Sequence, residues 1–198
     1  MPRRSRLVLP GVPMHLIQRG NNRQATFFAD EDYLNYLHWL TEAAERFACR
    51  IHAWVLMTNH VHLLVSANEP DAVAKLMKSV GQRYTQYANR VYGRTGSLWE
   101  GRFRSCLTDS DVYVLTCMRY IELNPVRARM VEHPADYRWS SYRVNAEGKS
   151  SVLVSPHAAY VALGPDHAAR TFAYRRLFDS SLPAELVDEL RDATNGNR

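Results

Sequence analysis

The sequence predicts an α+β fold, an antiparallel β-sheet flanked by α-helices with a small helical C-terminal extension, and three observations carry that prediction. Alternating apolar runs of strand period are interleaved with amphipathic stretches of helical period. Two of the strand-like runs, "IHAWVLM" and "HVHLLV", are separated only by Thr58-Asn59, the layout of a hairpin with a two-residue turn. Both faces of that hairpin are mostly apolar, so helices must cover the sheet on both sides.

Taken in order, "PMHLIQRGNN" alternates and then ends in a Gly-Asn-Asn turn signal, which predicts a first strand over residues 14–19. Asp30 is a good N-cap, and Tyr33, Leu37, Leu40, Ala44 and Phe47 recur at helical spacing, predicting a helix over 31–47. In the hairpin, Met57 then pairs with His60 and Val55 with His62. The two histidines share a face with Ala53, Val55 and Met57, while Trp54, Leu56, Val61, Leu63 and Val65 form the other. His52 falls on the face opposite the His pair and reads as structural. His15, His38, His133, His157 and His167 have no motif around them.

A second helix spans about Pro70 to Tyr92, with Val73, Met77, Val80, Tyr84, Tyr87 and Val91 facing inward. A loop, "GRTGSLWEGRF", leads to a short strand around 103–108, and Asp109 or Ser110 caps a third helix that runs to about Leu123, ahead of Pro125. Beyond about residue 145 the chain turns to small-residue helical stretches at 156–163, 166–178 and 183–193. These readings divide it into a main domain, 1–148, and a helical C-terminal extension, 149–198.

A length of 198 residues, 46% of them hydrophobic, suffices for a globular core. The odd number of cysteines (Cys49, Cys106, Cys117) without a CxxC spacing indicates neither a disulfide framework nor a thiolate zinc site. The basic N-terminus has too short an apolar run, broken by Pro10 and Pro13, to act as a signal peptide. No run approaches the roughly 18 apolar residues of a membrane span. The reading is therefore a cytoplasmic protein with no membrane partner.

Charge is unevenly placed: Lys75, Lys78, Arg83, Arg90, Arg94, Arg102 and Arg104 face only Glu100 over residues 75–104, within a chain of net charge +5. A polyanion would be drawn there. Arg94, Arg102 and Arg104 are candidates for phosphates, Trp99 for stacking on unpaired bases, and Lys78 and Arg83 for a basic helix face. Trp99 reads equally well as an anchor of its loop in the core, and Lys78 and Arg83 as a solvated face.

His60 and His62 aim at one face and make half a metal site; a third ligand has to come from elsewhere. The third helix lays Val114, Cys117, Met118 and Ile121 on the sheet, with Tyr120 and Asn124 one turn apart along the edge of that face. A phenol and an amide are thereby presented together.

The motifs "NHVHLLV" and "RYIELNPVRARMV" resemble the paired signatures of the HUH (histidine-hydrophobe-histidine) single-tyrosine transposases, above all the REP-associated tyrosine transposases with their IS200-like domain. "LPGVPMHLIQRGNNRQATFF", "YGRTGSLWEGRFRS" and "WSSY" are similar to the same family in the same order, over roughly residues 5–145. The resemblance implies an HUH, ferredoxin-like fold with His60 and His62 as a metal pair, Asn124 as third ligand and Tyr120 as nucleophile. It implies a divalent cofactor, Mg²⁺ or Mn²⁺, and DNA as substrate, single-stranded or as hairpins of REP-like palindromes, handled by a monomer or homodimer. The expected activity is nicking and rejoining through a 5′-phosphotyrosine. Tyr113, two turns before Tyr120, is expected to be dispensable.

Two rival readings stay open at this stage. One is a catalytically quiet, domesticated DNA-binding protein of the same fold, and the other a Zn²⁺-dependent hydrolase in which the His pair activates water. The proton acceptor for the tyrosine is not legible. Relatives are expected to continue beyond "DATNGNR", so the sequence assigns the tail no role.

Overall fold

A computed structural model describes residues 8–108 and 110–196, with only the backbone of Asn195. The basic N-terminal residues 1–7 and the alternative cap Asp109 lie outside the described residues. In chain order the regular elements are β1 (Met14–Arg19), α1 (Asp30–Arg46), β2 (Cys49–Met57), β3 (His60–Ala67), α2 (Ala72–Val91), β4 (Arg104–Leu107), α3 (Asp111–Glu122), α4 (Asn124–Arg127), α5 (Tyr142–Asn145), α6 (Ala158–Val161), α7 (His167–Arg176) and α8 (Ala184–Gly196).

The four strands form one antiparallel sheet in the order β2-β3-β1-β4. The hairpin register is the expected one, Met57 opposite His60 and Val55 opposite His62, because the two-residue turn at Thr58-Asn59 leaves no freedom to slip. Pairing β1 against both β3 and β4 aligns a row Val55, His62, Ile17 and Arg104 across one face, and a second row Met57, His60 and Arg19 beside it.

That histidine face is covered by α3 and α8, and the opposite face, carrying Leu16, Val61, Leu63 and Val65, by α1 and α2. The sheet is thus a central layer whose strands are buried over most of their length, which explains why its sequence is apolar on both sides.

Three expectations need correction. Asp30 is the first helical residue of α1 rather than its N-cap; Ala29 holds that position, and Asp32 reaches back to accept from the backbone N–H groups of Phe28 and Ala29. Val91 lies exposed at the end of α2 instead of facing the core. His52 does not oppose the His pair: a bulge between Ile51 and Ala53 shifts the register, and its Nε2 lies 2.8 Å from Ser66 Oγ, on the same face as His62 but farther along the sheet. There it is structural, its Nδ1 bonding the Ser155 carbonyl at 2.7 Å.

The C-terminal segment packs on this frame. Ser155 N–H donates to Ile51 O, extending the β2 edge. Glu122, fully buried at the end of α3, accepts from Ser141 Oγ (2.6 Å), Asn145 Nδ2 (2.8 Å) and, from α7, Tyr174 Oη (2.8 Å). Burial raises the Glu122 carboxyl to about 7, with the three donors pulling the other way. The "IEL" and "WSSY" pieces of sequence are two halves of this knot under the helix that carries Tyr120.

Candidate active site

His60 opens β3 immediately after the hairpin turn, and His62 follows one pleat along, so the strand period alone aims both imidazoles at α3. Their ring centres are 5.0 Å apart. Each has its Nδ1 engaged: His60 with Asn59 Oδ1 at 2.6 Å, His62 with His15 Nε2 at 2.8 Å. Asn59 Nδ2 donates to the Arg23 carbonyl, which fixes its oxygen toward His60. Both histidines therefore keep Nε2 as the nitrogen available to a ligand.

Burial is the main cause that lowers both rings, His60 to about 4 and His62 well below 6.5, with Arg19 and Arg127 adding repulsion. Both are neutral at pH 7, the form that binds a metal ion.

α3 is amphipathic on the expected face, with Val114, Cys117, Met118 and Ile121 buried, and Ser110 caps it by accepting from Tyr113 N–H. This docking presents the Tyr120 ring to the histidines, its centre 6.0 Å from His62 and 5.6 Å from His15. The structure thus brings together Tyr120, His60 and His62. α3 breaks at Leu123 (φ −84°, ψ −1°), and Asn124 begins α4. The extended bias that Pro125 imposes on the preceding residue is therefore overridden here, and the chain kinks one residue earlier. Asn124 is buried one turn beyond Tyr120, and its Nδ2 has no hydrogen-bond partner among the described residues.

That orphaned amide bears on metal binding. Among the described residues no three His, Cys, Asp or Glu side chains form a metal-binding group. A cation held by His60 and His62 would need a further donor, and the Asn124 amide, one turn beyond Tyr120, is a neutral oxygen donor of the kind such a site could take. The donor set fits a divalent ion that keeps open positions for phosphate.

Two basic residues that sequence reasoning missed complete the site. Arg127 Cζ lies 3.9 Å from the centre of the Tyr120 ring, and its Nη1 donates to the Tyr120 carbonyl at 3.3 Å. Burial pulls its pKa below the ordinary guanidinium value, yet a guanidinium starts so high that it remains a cation. Arg19 sits opposite His60 in the β1–β3 register. The seven-residue spacing from Tyr120 was a usable signal for Arg127. Arg19 required a strand pairing between distant segments.

The predicted DNA-contacting residues separate into groups. Arg102 and Arg104 join Ile17 and Arg19 around a depression on the histidine face. Lys78, Arg102, Gln18 and Trp99 line a larger cleft of about 730 Å³ between α2 and the 97–103 loop. Trp99 itself is buried against Tyr36 and Tyr84, its indole N–H donating to Gly81 O, so it anchors the loop. Arg83 is engaged elsewhere, 2.6 Å from Glu42 and over the Trp39 ring, and Arg94 lies over Phe28. Neither lines either pocket.

Comparison with known proteins bears on the family and the fold. The model of the family described as "Transposase IS200 like" matches residues 9–124, a span that begins before β1 and ends on Asn124. A solved structure of a REP-associated tyrosine transposase bound to a REP hairpin aligns with a TM-score of 0.64 at 19% identity, covering 80% of this chain and 96% of that one. At that identity the likeness is one of fold. A transposase structure from Deinococcus radiodurans R1 aligns at 20% identity over 69% of this chain and 98% of that one, with a TM-score of 0.43. No curated protein matches. None of the described helices is long and apolar enough to cross a membrane. With the family model spanning the strands, the His pair and the tyrosine helix, the chain belongs to the IS200-like transposase family.

Proposed function

We propose that this transposase nicks and rejoins single-stranded or hairpin DNA, of the REP-palindrome type, through a covalent phosphotyrosine at Tyr120. The observation that carries the reading is the Tyr120 ring with its centre 6.0 Å from that of His62 and the Arg127 guanidinium 3.9 Å over it.

Tyr120 Oη attacks the scissile phosphorus, a new P–O bond forms, and the bond from phosphorus to the 3′ oxygen breaks. The products are a 5′-phosphotyrosine and a 3′-hydroxyl; the phenol gives up its proton and the departing oxygen takes one up. Arg127 favours the phenolate as it develops, since a cation over an aromatic ring gains attraction as that ring acquires negative charge. Arg19, Arg102 and Arg104 hold the flanking phosphates on the histidine face. A Mg²⁺ or Mn²⁺ ion held by His60, His62 and Asn124 would supply charge stabilisation at the phosphate oxygens. Rejoining is the reverse attack by a 3′-hydroxyl, so the phosphoester energy is kept.

The test is to incubate the full chain with end-labelled hairpin DNA and Mn²⁺ and to resolve the products under denaturing conditions. A labelled species migrating with the protein supports the proposal. DNA binding without cleavage identifies a quiet relative, and free cleaved ends without an adduct identify a hydrolase; either result overturns it.

A further inference from the structure

His62 is only the first member of a hydrogen-bonded chain that crosses the sheet and ends in the C-terminal helix. His62 Nδ1 is 2.8 Å from His15 Nε2, and the two ring planes are only 12° apart. His15 Nδ1 is 3.0 Å from Thr194 Oγ1, and Thr194 Oγ1 donates to the Leu190 carbonyl at 2.6 Å, one turn back in α8. His15 and Thr194 are both fully buried.

The direction of this chain follows from counting protons. A threonine hydroxyl has one hydrogen, and here it is committed to Leu190 O, so toward His15 the oxygen can only accept. His15 must then carry its proton on Nδ1, which leaves its Nε2 bare. A bare Nε2 accepts from His62 Nδ1–H, and a neutral His62 protonated on Nδ1 has its lone pair on Nε2. The Cys106 thiol, 3.1 Å from Thr194 Oγ1, has the oxygen's second lone pair to donate to.

We propose that His15 and Thr194 are positioning residues that fix the tautomer and ring orientation of His62, so that its Nε2 is presented to the site. Asn59 performs the same service for His60 from the hairpin turn itself. His62 sits too deep in the sheet for a turn residue to reach, and the support comes instead from the neighbouring strand and from α8. This gives the C-terminal extension a stake in the site: α8 lies across β4 and β1 and seats the hydroxyl that orients the chain. The inference deepens the metal-site reading and rests on it.

The experiment has two readouts on the full chain. The first is ¹⁵N–¹H correlation of the imidazole nitrogens in the metal-free protein, which reports the His62 tautomer directly. The second is Mn²⁺ affinity by calorimetry. In wild type His62 is expected as the Nδ1–H tautomer. His15→Gln, whose amide can accept from His62 and donate to Thr194, should keep that tautomer and bind Mn²⁺ within a few-fold of wild type. His15→Leu should lose the tautomer preference and weaken binding by about 10- to 100-fold, the usual cost of removing such a support. Thr194→Val tests the same relay from its far end should His15→Leu fail to fold, and Thr194→Ser should restore it.

An Nε2–H tautomer of His62 in wild type, or His15→Leu and Thr194→Val indistinguishable from wild type in both readouts, overturns the proposal. Failure of the underlying metal reading looks different: there a His60→Ala, His62→Ala double variant binds Mn²⁺ as well as wild type does.

Discussion

The Arg127 guanidinium lies 3.9 Å from the centre of the Tyr120 ring while one of its nitrogens holds the Tyr120 carbonyl. The pair spans the kink at Leu123, so the short helix α4 folds the cation back over the last turn of α3. The cation and the tyrosine proposed as nucleophile are thus fixed in one local unit.

That unit sets the first prediction. Arg127→Met should slow formation of the protein–DNA adduct by roughly 10²-fold, the scale of losing one preorganised charge at a transition state, with DNA affinity changed far less. Arg127→Lys should recover part of the rate. Single-turnover kinetics with hairpin DNA check this.

The metal set gives the second. His60→Ala, His62→Ala should abolish Mn²⁺ binding by calorimetry, and Asn124→Ala should weaken it, since two imidazoles alone make an incomplete site. Removing the buried His62 alone also leaves an acceptor, His15 Nε2, without its donor, and the cost to folding is about 1–3 kcal/mol. Thermal unfolding of the metal-free variants measures that part separately.

For DNA, the division of the basic residues predicts a matching division of phenotypes. Arg102→Ala and Arg104→Ala should each lower affinity for hairpin DNA and reduce the salt dependence of binding by about one unit of slope. Arg83→Ala should leave both unchanged, because that side chain is engaged with Glu42 and Trp39 on the α1–α2 side. Fluorescence anisotropy over a salt series distinguishes them.

His52 supplies a pH prediction. Burial lowers it from 6.5 to about 4, against the opposing effect of its bond to Ser155 O. The folded state therefore binds fewer protons than the unfolded chain between those values, and stability present above pH 6.5 is lost as pH falls toward 4. The contribution is at most about 3 kcal/mol. Denaturant unfolding at pH 7 and pH 5 should show a smaller loss for His52→Gln than for wild type.

Local patterns carried a great deal of this structure. The hairpin register, the buried face of α3 and the two-histidine spacing are all short-range consequences of strand and helix period, and Tyr120 and Asn124 follow from them together with the family resemblance. What the sequence hid is long-range. The pairing of β1 with β3 places Arg19 opposite His60 and lets His15, opposite Leu64, reach His62 diagonally, and no pattern within either strand announces its partner. The bulge at His52 inverted its face, since one extra residue shifts everything before it. Arg83 and Trp99 each kept two readings in the sequence, because a basic helix face and a loop tryptophan look alike whether partnered within the chain or not.

The central claim, a covalent bond between Tyr120 and DNA, is tested most directly by digesting the denatured adduct with protease and nuclease and locating the modified peptide by mass spectrometry. The account predicts a nucleotide-derived mass on Tyr120, absent from Tyr120→Phe and fully retained in Tyr113→Phe. A nucleotide mass on Tyr113 or any other residue, or DNA cut with no modified peptide, would contradict it.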